Sequence, residues 1–96
     1  MKNSFQISSS VQRALLGEIT NNIKGIISYI DNNSLYLKVY FYRKPSEEEK
    51  ENMRVVMTEV SVDFPHEVEE FKEEFIVWDG KSSFSTIKNL VFLRKD

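Results

Sequence analysis

The feature of this sequence that most constrains its fold is the stretch 35–42, which reads Leu-Tyr-Leu-Lys-Val-Tyr-Phe-Tyr. Its apolar residues alternate with Tyr36, Lys38, Tyr40 and Tyr42. Because successive side chains of a β-strand point to opposite faces of a sheet, the alternation predicts a half-buried strand. One face would pack on a core. The tyrosine-bearing face would be either covered by other parts of the chain or available to a partner.

The remaining elements predict a small α+β protein. Turn-forming residues 31–34 separate the strand from the isoleucine-rich stretch 23–30, which indicates a β-hairpin. We expect a helix from Ser9 or Ser10 to about Ile19, with Ser9 and Gln12 as a capping box, and a second helix ending at Pro65. Residues 66–74 fit either a short helix or extended chain, and strands are expected at 75–78 and 87–94.

The order α-β-β-α-β-β predicts one domain over residues 1–96, with two layers. The sheet is expected to be antiparallel and to consist of two hairpins, with both helices on one face. The second helix has the clearer signals. Ser46 followed by Glu49 forms an S-x-x-E capping box. An apolar stripe at helical spacing follows, consisting of Met53, Val56, Met57, Val60 and Phe64.

Charge is distributed unevenly along the chain. The net charge is −2, but residues 46–75 hold 11 acidic and 3 basic residues, and the remainder holds 10 basic and 4 acidic ones. A separation of this size produces a directional field that influences partner choice and association rate. The acidic segment therefore favours a basic protein partner, although it is also typical of a solvated helix surface.

The residue types argue against catalysis and against a metal or cofactor site. There is no cysteine, which excludes thiolate chemistry, and His66 is the single histidine, which argues against a zinc site with several ligands. Three glycines form no phosphate-binding loop, and the clustered glutamates lie on what reads as exposed helix. The sequence predicts a non-enzymatic protein without cofactors. It also shows no membrane-spanning stretch and no secretory signal, which favours the cytoplasm.

Five short segments together resemble a family of small bacterial α/β immunity proteins that belong to polymorphic toxin systems, such as contact-dependent growth inhibition. The segments are residues 11–20, 46–50, 58–60 together with 64–65, 73–76 and 91–95. The resemblance implies a cytoplasmic protein that binds one cognate toxin domain and blocks it. It implies no catalytic residues.

The predicted function is therefore neutralisation of a toxin, specifically a nuclease, whose basic surface the acidic segment would meet. The partner-binding residues predicted from the sequence are three tyrosines and seven glutamates: Tyr36, Tyr40, Tyr42, Glu47, Glu48, Glu51, Glu69, Glu70, Glu73 and Glu74. Two alternatives stay open. The tyrosine–lysine face could bind nucleic acid by stacking bases, or a sheet edge could pair with a second copy in a homodimeric housekeeping protein.

Overall fold

The computed structural model describes residues 4–84 and 87–94, and the side chains from Ser9 onward within those ranges. It confirms the α+β class and the order of elements. The elements are α1 (Ser4–Ala14), β1 (Ile23–Asp31), β2 (Ser34–Phe41), α2 (Glu47–Asp63), β3 (Glu70–Val77) and β4 (Leu90–Leu93). The open question about residues 66–74 is answered in favour of extended chain from Glu70 onward. None of the described helices is long and apolar enough to span a bilayer.

The first hairpin forms as predicted, with a tighter turn. Strands β1 and β2 are antiparallel and extend to Asp31 and from Ser34, so the turn consists of Asn32 and Asn33 alone. Both asparagines have positive φ, at 49° and 63°. Two-residue hairpin turns of this kind suit the right-handed twist of the strands, and asparagine tolerates the left-handed region better than most residues.

The prediction of an entirely antiparallel sheet with a second hairpin is wrong. The strand order is β3-β2-β1-β4, so β3 and β4 lie at opposite edges and do not pair. Strand β3 runs parallel to β2 in an unbroken register from Ser34↔Glu70 to Phe41↔Val77. The physical reason is the intervening helix: α2 supplies the long crossover that a parallel pair requires.

The first helix begins earlier than expected. It starts at Ser4, so the predicted start at Ser9 or Ser10 and the capping box with Gln12 are wrong. It also ends earlier, at Ala14, and Gly17 follows with φ of 83°, a backbone conformation that glycine adopts without a steric penalty. The expectation that residues 1–7 are frayed or extended is wrong for residues 4–7, which belong to α1, and residues 1–3 lie outside the described part.

The second helix confirms its predicted start. Ser46 is the N-cap: its hydroxyl accepts a hydrogen bond from the Glu49 N–H at 3.1 Å, and the Glu49 carboxylate accepts one from the Ser46 N–H at 2.9 Å. Glu49 also accepts from Thr20 Oγ1 and Asn22 Nδ2. Partial burial opposes ionisation of Glu49, but these hydrogen bonds outweigh it and hold its pKa below the usual value. The carboxylate thus ties α2 to the chain that enters β1.

Both helices pack on the same face of the sheet. The predicted apolar side of β2 is fully buried there, against the predicted stripe of α2. Each such side chain contributes roughly 1.5–3 kcal/mol through its removal from water. The opposite face of the sheet, called the open face below, therefore carries the remaining side chains of the four strands.

Candidate functional site

The open face gathers polar and aromatic side chains from three strands. The register places Tyr29 of β1 beside Tyr36 of β2, and Tyr36 beside Lys72 of β3. On the same face Lys38 lies beside Glu74. Since side chains directly opposite each other on one face are about 5 Å apart at Cβ, these residues form one continuous surface.

One end of the open face, called the uncovered end, is built around a pair of tyrosines. The rings of Tyr29 and Tyr36 are stacked, with centroids 4.7 Å apart and planes inclined by 12°. The Lys72 ammonium lies 5.6 Å from the centroid of the Tyr36 ring, within cation–π range. Both tyrosines stay partly accessible to solvent. Two amphipathic rings of fixed orientation are a suitable anchor for a protein partner.

The other end, called the covered end, lies beneath the connection from β3 to β4. This connection must cross the sheet, because the two strands are at opposite edges. Phe84 is buried there, with its ring edge-on to Tyr40 at 5.0 Å and 6.3 Å from Trp78. Tyr42 in turn meets Trp78 edge-on at 5.9 Å. The aromatic rings at this end are therefore partly used in internal packing.

Hydrogen bonds hold residues 78–84, called the cover below, in place over this end of the sheet. The Trp78 Nε1–H donates to the Ser82 carbonyl at 3.0 Å. The Asp79 carboxylate accepts from the hydroxyl and N–H of Ser82 and from the Lys81 N–H, which together lower the pKa of Asp79 to about 2. Lys24, which is buried, places its ammonium 4.6 Å from the centre of the Trp78 ring and donates to the Arg94 carbonyl at 2.7 Å.

Ion pairs within the acidic segment join α2 to β3. Arg54 of α2 contacts Glu73 of β3 at 2.9 Å and Glu51 at 3.5 Å, which joins the helix to the edge strand. Lys50 pairs with Glu47 at 3.2 Å. Two of the three basic residues of this segment, Lys50 and Arg54, are thus paired within it, and exposed pairs of this type add little stability. In the described part of the chain, Glu70 and Glu74 form no ion pair, so their charges face solvent.

The ten predicted partner-binding residues fall into separate places. Tyr36, Glu70 and Glu74 share the uncovered end. Tyr40 and Tyr42 belong to the covered end. The others lie on the helix side or at the β2–β3 junction: Glu47, Glu48 and Glu51 on the first turns of α2, Glu73 beside Arg54, and Glu69 next to the hairpin turn, where its N–H donates to Asn33. Their role in binding stays a prediction.

Two components of the open face were missed at the sequence level. Tyr29 stacks on Tyr36, and the signal was present, because a hairpin that pairs Ile30 with Leu35 also pairs Tyr29 with Tyr36. The cover formed by Trp78 and Phe84 had no local signal. It follows from the placement of β3 and β4 at opposite edges, which the predicted second hairpin had excluded.

Two other surface features, His66 and a groove beside α1, do not form an alternative functional site. His66 is exposed in the turn after α2, and within the described ranges no three histidine or acidic side chains converge as a metal site. A polar groove of about 260 Å³ beside α1 is lined by Ser10, Arg13, Ala14, Glu59 and Asp63. The Arg13–Asp63 ion pair occupies it at 3.0 Å, and none of the predicted site residues lines it.

Comparison with known proteins completes the description of the site. A search of curated proteins found no match. A family model matches residues 5–96, which is nearly the whole chain, and its description is MafI2 immunity protein. The match confirms the resemblance to immunity proteins of bacterial toxin systems that the short segments indicated. The chain belongs to the MafI2 immunity protein family.

Proposed function

We propose that this protein neutralises a cognate bacterial toxin domain by binding to it, without catalysing a reaction of its own. The observation that carries the proposal is the match to an immunity protein family over residues 5–96. An inhibitor of this kind needs a surface of complementary shape and charge, and it needs no reactive centre. The open face and the acidic residues of α2 and β3 are the surface that we assign to this role.

The proposed toxin is a nuclease with a basic surface, delivered by a contact-dependent or related system and met in the cytoplasm. Support comes from the charge of α2 and β3, which lie side by side and are joined by Arg54. Nucleases carry basic surfaces that hold phosphates. An acidic inhibitor would be steered toward such a surface, and association would be fast at low ionic strength.

The uncovered end of the open face is the proposed aromatic anchor. Tyr29 and Tyr36 present stacked, partly exposed rings, flanked by Lys72 and by Glu70 and Glu74, two carboxylates without an ion pair among the described residues. Interface energy concentrates on a few such anchors, with tyrosine among the favoured types. The same mixture of charges disfavours nucleic acid as the ligand, because Glu70 and Glu74 lie beside Lys72 and Lys38 and would repel phosphates.

The test is co-expression in bacteria with the cognate toxin domain. We expect the chain to restore growth, to co-purify with the toxin and to abolish nucleic-acid cleavage in a purified assay. A catalytically inactive toxin serves as the binding control, because it should bind equally well without affecting growth. Failure of the intact chain both to bind the toxin and to rescue growth would contradict the proposal. If the chain rescues growth but the toxin, assayed by itself, does not cleave nucleic acid, only the assignment of the toxin as a nuclease is wrong.

A further inference from the structure

Strand β3 has one backbone edge without a partner. Its even-numbered residues turn their backbone toward β2, as the Trp78 N–H shows by donating to the Phe41 carbonyl at 2.7 Å. At the other end, the Asn33 carbonyl accepts from the Glu70 N–H at 3.3 Å and from the Glu69 N–H, just before the strand, at 2.7 Å. Because the backbone direction alternates along a strand, the N–H and C=O groups of Phe71, Glu73, Phe75 and Val77 point away from the sheet. In the ranges that the structure describes, β3 is the outermost strand on this side.

This edge lacks most of the features that normally protect an exposed strand. It is eight residues long, contains no proline and pairs with β2 without a register shift. The opposite edge, β4, has four residues and a register shift where it meets β1. Proteins usually shorten, bulge or cover their edge strands to prevent pairing with other chains. Charged side chains are the single protective feature that β3 retains.

The side chains that flank the edge differ between its two faces. On the helix side, Phe71 and Val77 are 46% and 51% exposed, although both are large and apolar. On the open face, the flanking residues are Glu70, Lys72 and Glu74, and a net negative charge results. A strand added at this edge would therefore meet apolar side chains on one face and mostly acidic ones on the other.

We propose that a β-strand of the toxin adds to the sheet at the free edge of β3. This inference rests on the proposed function. The main-chain groups of Phe71, Glu73, Phe75 and Val77 would provide the hydrogen bonds, as in other complexes formed by strand addition. The toxin strand would alternate apolar residues, which contact Phe71 and Val77, with basic residues, which face Glu70 and Glu74.

Charge favours the toxin strand over a second copy of this chain. Residues 66–77 contain five glutamates and one lysine. A symmetric antiparallel pair of two β3 strands centred on Glu73 or Glu74 would place identical glutamates directly opposite each other, which is destabilising. A toxin strand with basic residues would instead form favourable contacts with these glutamates. The uncovered end of the open face adjoins this edge through Lys72, so one partner can reach both.

Amide hydrogen exchange followed by NMR tests the proposal directly. The probe is a purified toxin domain whose catalytic residue has been inactivated. In the free protein we expect the outward amides of Phe71, Glu73, Phe75 and Val77 to exchange fast and the inward amides of Lys72, Glu74 and Ile76 to be protected. Toxin binding should slow the outward set by at least about tenfold and leave the inward set protected.

A pair of variants at Glu73 separates the backbone from the side chain. Glu73→Pro removes the outward N–H without removing a hydrogen bond to β2, and proline is accepted on the solvent side of edge strands. We expect it to weaken toxin binding about tenfold. Glu73→Thr also loses the contact with Arg54 but keeps the N–H, and should weaken binding less than about threefold. Circular dichroism on both variants checks that the fold is retained.

The outcomes distinguish this inference from the proposed function. If the toxin binds and the outward amides still exchange at the free rate, strand addition is overturned and neutralisation by another surface stands. Equal binding by folded Glu73→Pro and Glu73→Thr would also overturn it. Should the proline variant unfold, the exchange measurement on the unchanged chain decides alone. Absence of any toxin binding would remove the proposed function and the inference together.

Discussion

The two ends of the open face carry the same kind of residue in different surroundings. Tyr36 and Tyr40 lie four residues apart on β2 and point the same way. Tyr40 packs edge-on against the buried Phe84, whereas Tyr36 stacks on Tyr29 and faces Lys72. The same strand pattern therefore serves internal packing at one end, and at the other it leaves partly exposed rings for which we propose a role in recognition. The long connection between β3 and β4 makes the difference.

The largest expected effect concerns the covered end. Phe84→Ala should lower the free energy of unfolding by about 3 kcal/mol, because it leaves a cavity over Tyr40 and Trp78. Urea unfolding followed by fluorescence measures it, since Trp78 is the chain's single tryptophan and lies against Phe84. Leu16→Ala is the control: that side chain is 78% exposed, and its loss should change stability by less than about 0.5 kcal/mol. Equal effects of the two substitutions would contradict the description of Phe84 as a structural cover.

The next effect concerns the uncovered end and binding. Tyr36→Ala should reduce toxin affinity by about 2 kcal/mol, close to thirtyfold, because it removes a central aromatic anchor. Tyr36→Phe keeps the ring and should retain most of the affinity. Isothermal titration calorimetry measures both. The proposed division of roles between the two ends would be wrong if Tyr40→Ala weakened binding more than Tyr36→Ala and left the free energy of unfolding unchanged.

A smaller effect concerns the charges beside the uncovered tyrosines. The double variant Glu70→Gln, Glu74→Gln should slow association with the toxin severalfold at low ionic strength, with little change in the dissociation rate. The difference should shrink as salt is added, because exposed charges are screened over about 8–10 Å at physiological ionic strength. Stopped-flow kinetics measures the rates. Glu18→Gln, outside the acidic segment, is the matched control for each of the two single substitutions. An equal slowing of association by Glu18→Gln would show that only net charge matters.

The smallest effect concerns the loop that holds the cover. Its hydrogen bonds lower the pKa of Asp79 from 3.8 to about 2, so ionised Asp79 stabilises the fold fully above pH 3.8, and this contribution disappears as the pH falls through about 2. Asp79→Asn removes that dependence. The stability difference between the chain and this variant should therefore narrow between those two pH values. Urea unfolding monitored by Trp78 fluorescence at several pH values measures it, and a constant difference would contradict the assignment.

The sequence predicted local structure well where neighbouring residues determine it. The capping box of Ser46 and Glu49, the buried stripe of α2 and the alternation of β2 depend on near neighbours, and the structure confirms all three. Pairing between distant strands was predicted less well. Strands β3 and β4 are consecutive, which favours a hairpin, yet the crossover through α2 brings β3 to β2 and leaves β4 to pair with β1. The covered end could not be foreseen without that placement.

The start of α1 shows a second limit of local signals. Ser9 and Gln12 match a capping box, but the helix already began at Ser4, so the pair lies inside it. A cap motif marks a helix start only where the preceding residues leave the helix. For the candidate site, the tyrosine face was predicted, but its division into two ends depends on Trp78 and Phe84, which act from far along the chain.

The position of β4 in the sheet has a consequence for the newborn protein. Strand β1 is made early, yet its second neighbour is residues 90–93, which leave the ribosome after the other strands that the structure describes. Until residues 90–93 emerge, the edge of β1 that pairs with β4 has no partner. A nascent chain then has two free strand edges, those of β1 and β3, that can pair with other chains. We expect ribosome-bound intermediates to need chaperone shielding.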